Sequence, residues 1–224
     1  MATRVRELPF TPDPAANRLL AREPFALLLG MLLDQQVPME WAFAAPAMLA
    51  ERMGGTLSAP ALAALDPEDV EELFRAKPAL HRYPGSMARR AHALAAAVVE
   101  QTGGRTELLW TEVASADELA TRLRALPGFG PDKARIFVGV LGKRLGVRPA
   151  GWERVAADWP SIADVDRFER VIEIREAKRA AKAAKGTAKT TTKGAAKSAA
   201  VPKRAAVKKA APKKSTGARK SSAQ

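Results

Sequence analysis

Apolar residues recur at helical spacing through the first 176 positions, and no stretch alternates with the period of two that marks a strand. Asp13-Pro14 joins a capping side chain to a first-turn proline and predicts a short helix over 14–22. Pro24 opens the next, where Phe25, Leu27, Leu28, Leu29, Met31, Leu32 and Leu33 fall on every side. A helix apolar all round belongs in the middle of a domain. It stops abruptly at Asp34-Gln35-Gln36, and a third helix follows Pro38 through Trp41, Phe43, Met48 and Leu49 to Gly54-Gly55. Ser58 and Asp66-Pro67 begin two more, the second running through Val70, Leu73 and Phe74. A further one passes Leu94, Val98 and Val99 and ends at Gly103-Gly104, and residues 106–125 hold one or two others, with Ser115 a cap. The pattern predicts an all-α body of about eight to ten helices around the helix at 24–33.

The chain's punctuation is densest at Leu126-Pro127-Gly128-Phe129-Gly130-Pro131-Asp132-Lys133-Ala134. Leu119, Leu123 and Leu126 lead in at helical spacing, and Ile136, Phe137, Val140, Leu141 and Leu145 lead out. Two glycines let the chain reverse, and Pro131 suits a first helical turn. The spacing therefore predicts two helices joined by a hairpin, with bare N–H groups at a positive helix end that can hold one phosphate.

Charge divides the chain sharply. Residues 177–224 hold 15 Lys and Arg and no acid, while residues 1–176 hold the other 22 and all 24 acids. The net +13 thus belongs to the tail and not to the body. The tail is Ala, Lys, Thr and Pro without large apolar residues, so it cannot bury enough surface to order when free. Lysines 178, 182, 185, 189, 193 and 197 recur every three or four residues, which would align them if binding induced a helix, within the limits set by Pro202 and Pro212. Two domains are expected: a helical body over 1–176 and a disordered Lys/Ala/Pro-rich tail over 177–224.

The absence of cysteine excludes disulfides, a thiolate zinc site and a cysteine-ligated iron–sulfur cluster. No metal-ligand spacing is present and no cofactor is expected. No run approaches a membrane span and no signal-type apolar core follows Met1, so a cytoplasmic protein is expected, without membrane contact.

The hairpin string resembles that of the helix-hairpin-helix DNA glycosylase superfamily, the HhH-GPD type of base excision repair protein. Two earlier segments extend the resemblance. Met31-Leu32-Leu33-Asp34-Gln35-Gln36 is similar to the family's L-x-x-Q-Q segment, and Tyr83-Pro84-Gly85-Ser86-Met87-Ala88-Arg89-Arg90-Ala91 looks like its glycine-containing turn before a basic helix. The resemblance implies an all-α glycosylase-like fold and a monomer that binds double-stranded DNA. Gln35 and Gln36 would approach the DNA near an extruded nucleotide. Gly128, Phe129, Gly130 and Lys133 would contact its backbone. The tail, through Lys178, Lys182, Lys185, Lys203, Lys208 and Lys213, would hold duplex by counterion release. If half of its charges meet phosphate, the log–log salt slope would be about −6 to −7. A nucleoid-associated location follows from the same tail.

The resemblance fails at two catalytic positions. The family's lysine falls on Asp132, and Lys133 is rotated by about 100° from it on a helix. The family's aspartate falls on Pro149, within Arg148-Pro149-Ala150-Gly151-Trp152-Glu153-Arg154. Asp34 and Asp164 are the candidate substitutes. His81 reads as a structural histidine, and the tryptophans at 41, 110, 152 and 159 read as core or rim packing, with Trp152 at the edge of the expected pocket. The function expected is a monofunctional DNA N-glycosylase for a damaged or mismatched base, without lyase chemistry. The alternative is a non-catalytic lesion-sensing or nucleoid-associated protein on the same fold.

Overall fold

The computed structural model of the chain describes residues 5–195, with side chains through Ala183. The described residues are helical and contain no strand; their one β-type contact is an isolated bridge between Ser115 and Ala150. Eleven α-helices occur among them, against the eight to ten expected, because Leu108–Thr111 and Trp152–Val155 form separate four-residue helices.

The punctuation acts as its chemistry requires. The Asp13 carboxylate accepts from Ala15 N–H at 2.8 Å and opens α1, Pro14–Arg22. Helix α2, Pro24–Leu33, buries every residue from Phe25 to Leu33. It is packed by α1, by α3 (Met39–Arg52) and by α6 (Pro84–Thr102). Helices α4 (Ala59–Ala63) and α5 (Pro67–Arg75) lie against α6. Leu108–Thr111, which is α7, leads through the Ser115 cap to α8, Ala116–Ala125. Helix α9, Pro131–Arg144, packs on α8, on α10 (Trp152–Val155) and on a 3-10 turn at Ile162–Asp164. One continuous apolar core joins all these layers.

Two elements differ from the sequence pattern. Gly85 is not in a turn but in the first turn of α6, where a Cβ would lie 2.8 Å from Arg75 Nη2. Its absence lets Arg75 and Arg89 both reach Glu71, each at 2.5 Å. Helix α11 runs from Phe168 to Ala195 and so continues past the expected boundary at residue 177. Alanine and lysine are good helix formers, which accounts for the continuation. By its contacts the chain divides into two units, Met1–Ala181 and Lys182–Gln224. In the first, Val171 and Ile174 anchor α11 in the core. In the second, Lys182 and Lys185 lie on α11, while Lys203, Lys208 and Lys213 lie outside the described residues. No helix among the described residues is long and apolar enough to cross a membrane.

Candidate nucleic-acid interface

The end of α2 and the turn between α8 and α9 meet at one place. Helix α2 is apolar and buried to its last residue; polarity begins at Asp34, which like Gln35 is still part-buried, and exposure begins at Gln36. Asp34 N–H still reaches Gly30 O at 3.0 Å, and Gln35 N–H bonds Leu33 O at 2.7 Å. The chain then turns at Gln36, which has φ +59 and is the one non-glycine residue with positive φ among the described residues. Such a conformation costs roughly 1–3 kcal/mol and persists where the surroundings enforce it. Here they do.

Gln35 is tied on all sides. Its Nε2 donates to Leu32 O at 2.9 Å and to Met87 Sδ at 3.3 Å, and its Oε1 accepts from Arg90 Nη1 at 2.9 Å. Its backbone carbonyl accepts from His81 Nε2 at 3.0 Å. His81 Nδ1 in turn accepts from Tyr83 N–H at 3.1 Å. An acceptor at Nδ1 and a donor at Nε2 define a neutral ring. Burial also disfavours the charged ring and lowers the His81 pKa, although the Gln35 carbonyl opposes this. His81 is thus the structural tie that its sequence context suggests. Gln36 is exposed, and its side chain is the glutamine of the pair available to a ligand.

On the hairpin side, Gly128 adopts φ +81, and a Cβ there would collide with Leu32 Cδ1. The loop can therefore rest directly on the end of α2 only if residue 128 is glycine. Gly130 opens α9 with nothing within 4 Å of a Cβ built on it, and no side chain caps the first N–H groups of that helix. Gly128 and Gly130 are both exposed backbone. Phe129, grouped with them as a DNA contact, turns inward. Its ring is buried and meets Phe137 edge-on at 6.1 Å. It holds the turn down on the core, and its N–H bonds Leu126 O at 3.1 Å within the turn.

Lys133 also departs from the expected phosphate contact. Its side chain is aimed at the end of α2, where its ammonium donates to Leu32 O. The Phe129 ring lies 6.0 Å away. Burial pushes its pKa down to about 8, with Asp34 opposing and Arg90 assisting. Burial likewise raises the Asp34 carboxyl, against Lys178 and Lys133, with Glu40 adding to the rise. One turn before Lys178 on α11, Arg175 pairs with Glu40 in the first turn of α3.

Asp164 is not brought to this place. It completes a capping box in the 3-10 turn, accepting from Ser161 N–H at 3.0 Å, and pairs with Lys143 at 2.6 Å. Burial alone would raise its pKa; the bonds from Lys143 and Ser161 outweigh that and hold it below the usual carboxylate value. Lys143 is ten residues beyond Lys133 on α9, a rise of about 15 Å. Trp152 is equally remote from the pocket edge expected of it, since its ring covers Gly142 in the last turns of α9. Pro149 precedes it and accepts from Trp152 N–H at 3.1 Å. Of the other nearby acids, Asp158 pairs with Arg135 at 3.0 Å and Asp166 with Arg167 at 3.3 Å.

A cavity of about 380 Å³ opens beside the glutamine pair, lined by Gln35, Gln36, His81, Tyr83, Ser86, Met87 and Arg90. A larger one of about 830 Å³ lies between α3, α4 and α5, among Arg52, Leu65 and Leu73, and contains none of the residues above. No group of three or more His, Asp or Glu among the described residues is placed to hold a metal ion. Arg90 and Met87, which fix Gln35, were legible only as part of a basic helix start.

No curated protein and no solved structure matches the chain. The family model described as HhH-GPD superfamily base excision DNA repair protein matches residues 29–196. That span includes the end of α2, the whole of α6, the hairpin and α9, which are the elements that build the interface. The chain belongs to the HhH-GPD superfamily of base excision DNA repair proteins.

Proposed function

We propose that the protein is a monofunctional DNA N-glycosylase that removes a damaged or mismatched base from double-stranded DNA. One observation carries the reading: Asp34 stands at the junction of the hairpin with the glutamine segment, with Lys133 and Lys178 as its counter-charges. The exposed backbone at Gly128–Gly130 and the uncapped start of α9 would seat a phosphate. Gln36 would meet the DNA beside the extruded nucleotide, while Gln35 serves as a strut.

In the reaction the bond between C1′ and the base nitrogen breaks, and its electron pair leaves with the base. Positive charge develops on the sugar, and Asp34, ionised against its burial with the help of the Lys178 and Lys133 charges, would stabilise it. Water then adds at C1′, and the proton it loses is taken up by the departed base, leaving an abasic sugar in an intact strand. Lys133 supplies no nucleophile in this scheme, because its ammonium is engaged with Leu32 O. The lysines of the tail would hold nonspecific duplex in the cytoplasm, at the nucleoid, with the protein acting as a monomer.

Incubation of the purified protein with duplexes carrying uracil, alkylated or oxidised bases tests this. The expected product is an abasic site that breaks only on treatment with alkali. A second reading, lesion binding without cleavage, is favoured by Pro149 at the family's aspartate position and by the engagement of Asp164 with Lys143. It predicts preferential binding to abasic or mismatched duplex with no base released.

A further inference from the structure

A separate cavity of about 310 Å³ opens between α8, α9 and α10. Lys133 and Arg135 stand two residues apart on α9, about 200° around the helix, so they serve different sides of it. Lys133 faces the end of α2, and Arg135 lines this cavity. Three arginines from three helices converge there: Arg124 from α8, Arg135 from α9 and Arg154 from α10. Residues 1–176 hold 22 basic residues against 24 acids, so the cluster is not a sample of a generally basic surface. Asp117 is the one carboxylate in the lining.

Ion pairing does not account for the cluster. Arg154 pairs with Asp117, and Arg135 with Asp158 at 3.0 Å, but those carboxylates are 65% and 82% exposed. Pairs so open to water contribute little. Arg124 has no acid partner among the described residues, and its Nη2 bonds Thr121 Oγ1 at 3.2 Å. Arg135 is braced without its acid: Nε and Nη2 donate to Val155 O and Ala156 O, each at 3.2 Å, and the Trp159 ring lies 4.6 Å from the guanidinium. A guanidinium held by neutral groups keeps its charge for a ligand.

The walls define that ligand. No aromatic side chain lines the cavity, so nothing in it would hold a base. The planar fork of arginine matches phosphate oxygens two at a time. Pro131, the first residue of α9, belongs to the same lining and places the cavity next to Gly130.

We propose that Arg124, Arg135 and Arg154 form a second phosphate seat, for another backbone phosphate of the strand held at Gly128–Gly130. The inference rests on the DNA-binding reading above and deepens it: the strand is gripped at two phosphates, one at the hairpin and one on the side of α9 away from Lys133. Phosphate contacts set register and carry no sequence information. The seat would thus help to position the lesion without selecting it.

The test uses the full-length protein and a duplex with one abasic site, scanned with single neutral methylphosphonates along each strand. The tail binds every duplex alike, so position dependence reports the body. Two positions of one strand should each weaken binding by about three- to tenfold when neutralised. The position silenced by Gly130→Glu belongs to the hairpin. The other should fall silent in Arg124→Gln and in Arg154→Gln, and Arg124→Lys should keep part of its effect. Each glutamine variant should also lower the log–log salt slope by about 1. Arg124 bonds only the neighbouring Thr121, so its variant reads the site even if Arg154→Gln loosens α10. A single sensitive position in the wild type, or two that both persist in Arg124→Gln, overturns the inference and leaves the hairpin reading standing. Inorganic phosphate that binds in a ³¹P titration through Arg124, while the duplex profile ignores that residue, assigns the cavity to free phosphate and overturns it too. If no position matters in the wild type, the body does not hold the strand, and the DNA-binding reading falls together with the inference.

Discussion

Lys133, in the first turn of α9, donates its ammonium to the carbonyl of Leu32, the penultimate residue of α2. That carbonyl also accepts from Gln35 Nε2, and the Leu32 side chain fills the place of the Cβ that Gly128 lacks. The hairpin and the glutamine segment are therefore a single construction. Under the proposed function, a duplex seated on one would be presented to the other.

The Lys133 amine should titrate near pH 8, well below the ordinary lysine value of 10.5. Reductive ¹³C-methylation followed by an NMR titration would show one resonance moving near pH 8, absent in Lys133→Arg. Because the folded value is the lower one, the unfolded chain holds more protons between the two, and this group makes stability rise with pH across that window. A lysine resonance set titrating entirely near 10.5 would contradict the contact with Leu32.

The two hairpin glycines should separate under substitution. Gly128→Ala places a side chain at φ +81 and against Leu32, and should cost about 1–3 kcal/mol in denaturant unfolding. Gly130→Ala meets nothing within 4 Å and should stay within about 0.5 kcal/mol of the wild type. Its effect should appear in DNA binding, where the added methyl obstructs the approach of the strand.

His81 gives the interface a pH dependence. Its folded pKa is below the unfolded value of 6.5, so its contribution to stability is complete above that pH and is lost as pH falls towards the folded value. Protonation of Nδ1 would break the bond from Tyr83 N–H. Thermal melts between pH 5 and 8 should show an acid-side loss that His81→Phe no longer shows.

Asp132 is exposed in the first turn of α9, beside the uncapped N–H groups. It favours the helix dipole but repels an incoming phosphate. Asp132→Asn should therefore tighten duplex binding by about two- to fivefold at low salt, with less gain at high salt. Fluorescence anisotropy at two ionic strengths would measure both.

The helices were legible because their caps and prolines are local: Asp13, Ser115, Pro24, Pro67 and Pro131 act where they stand in sequence. Helix α2 was legible because no solvated helix is apolar on every side. The hairpin was legible from its two glycines. What the sequence concealed depends on side-chain direction. Phe129 faces the core although its neighbours face outward, and Lys133 reaches Leu32 across 101 positions. Asp164 lies near the candidate residues in the chain's logic but is claimed by Ser161 and Lys143. Trp41 read as packing from its place among Phe43, Met48 and Leu49, but it stands exposed.

The role of Asp34 is tested by comparing base release by the wild type and by Asp34→Asn, in single turnover, on the damaged duplex the wild type accepts. Asparagine keeps the shape of the side chain and removes its charge. The wild type should give an alkali-labile abasic product and the variant should lose roughly 10²–10³-fold in rate, with duplex binding retained. Base release by Asp34→Asn at the wild-type rate would contradict that role.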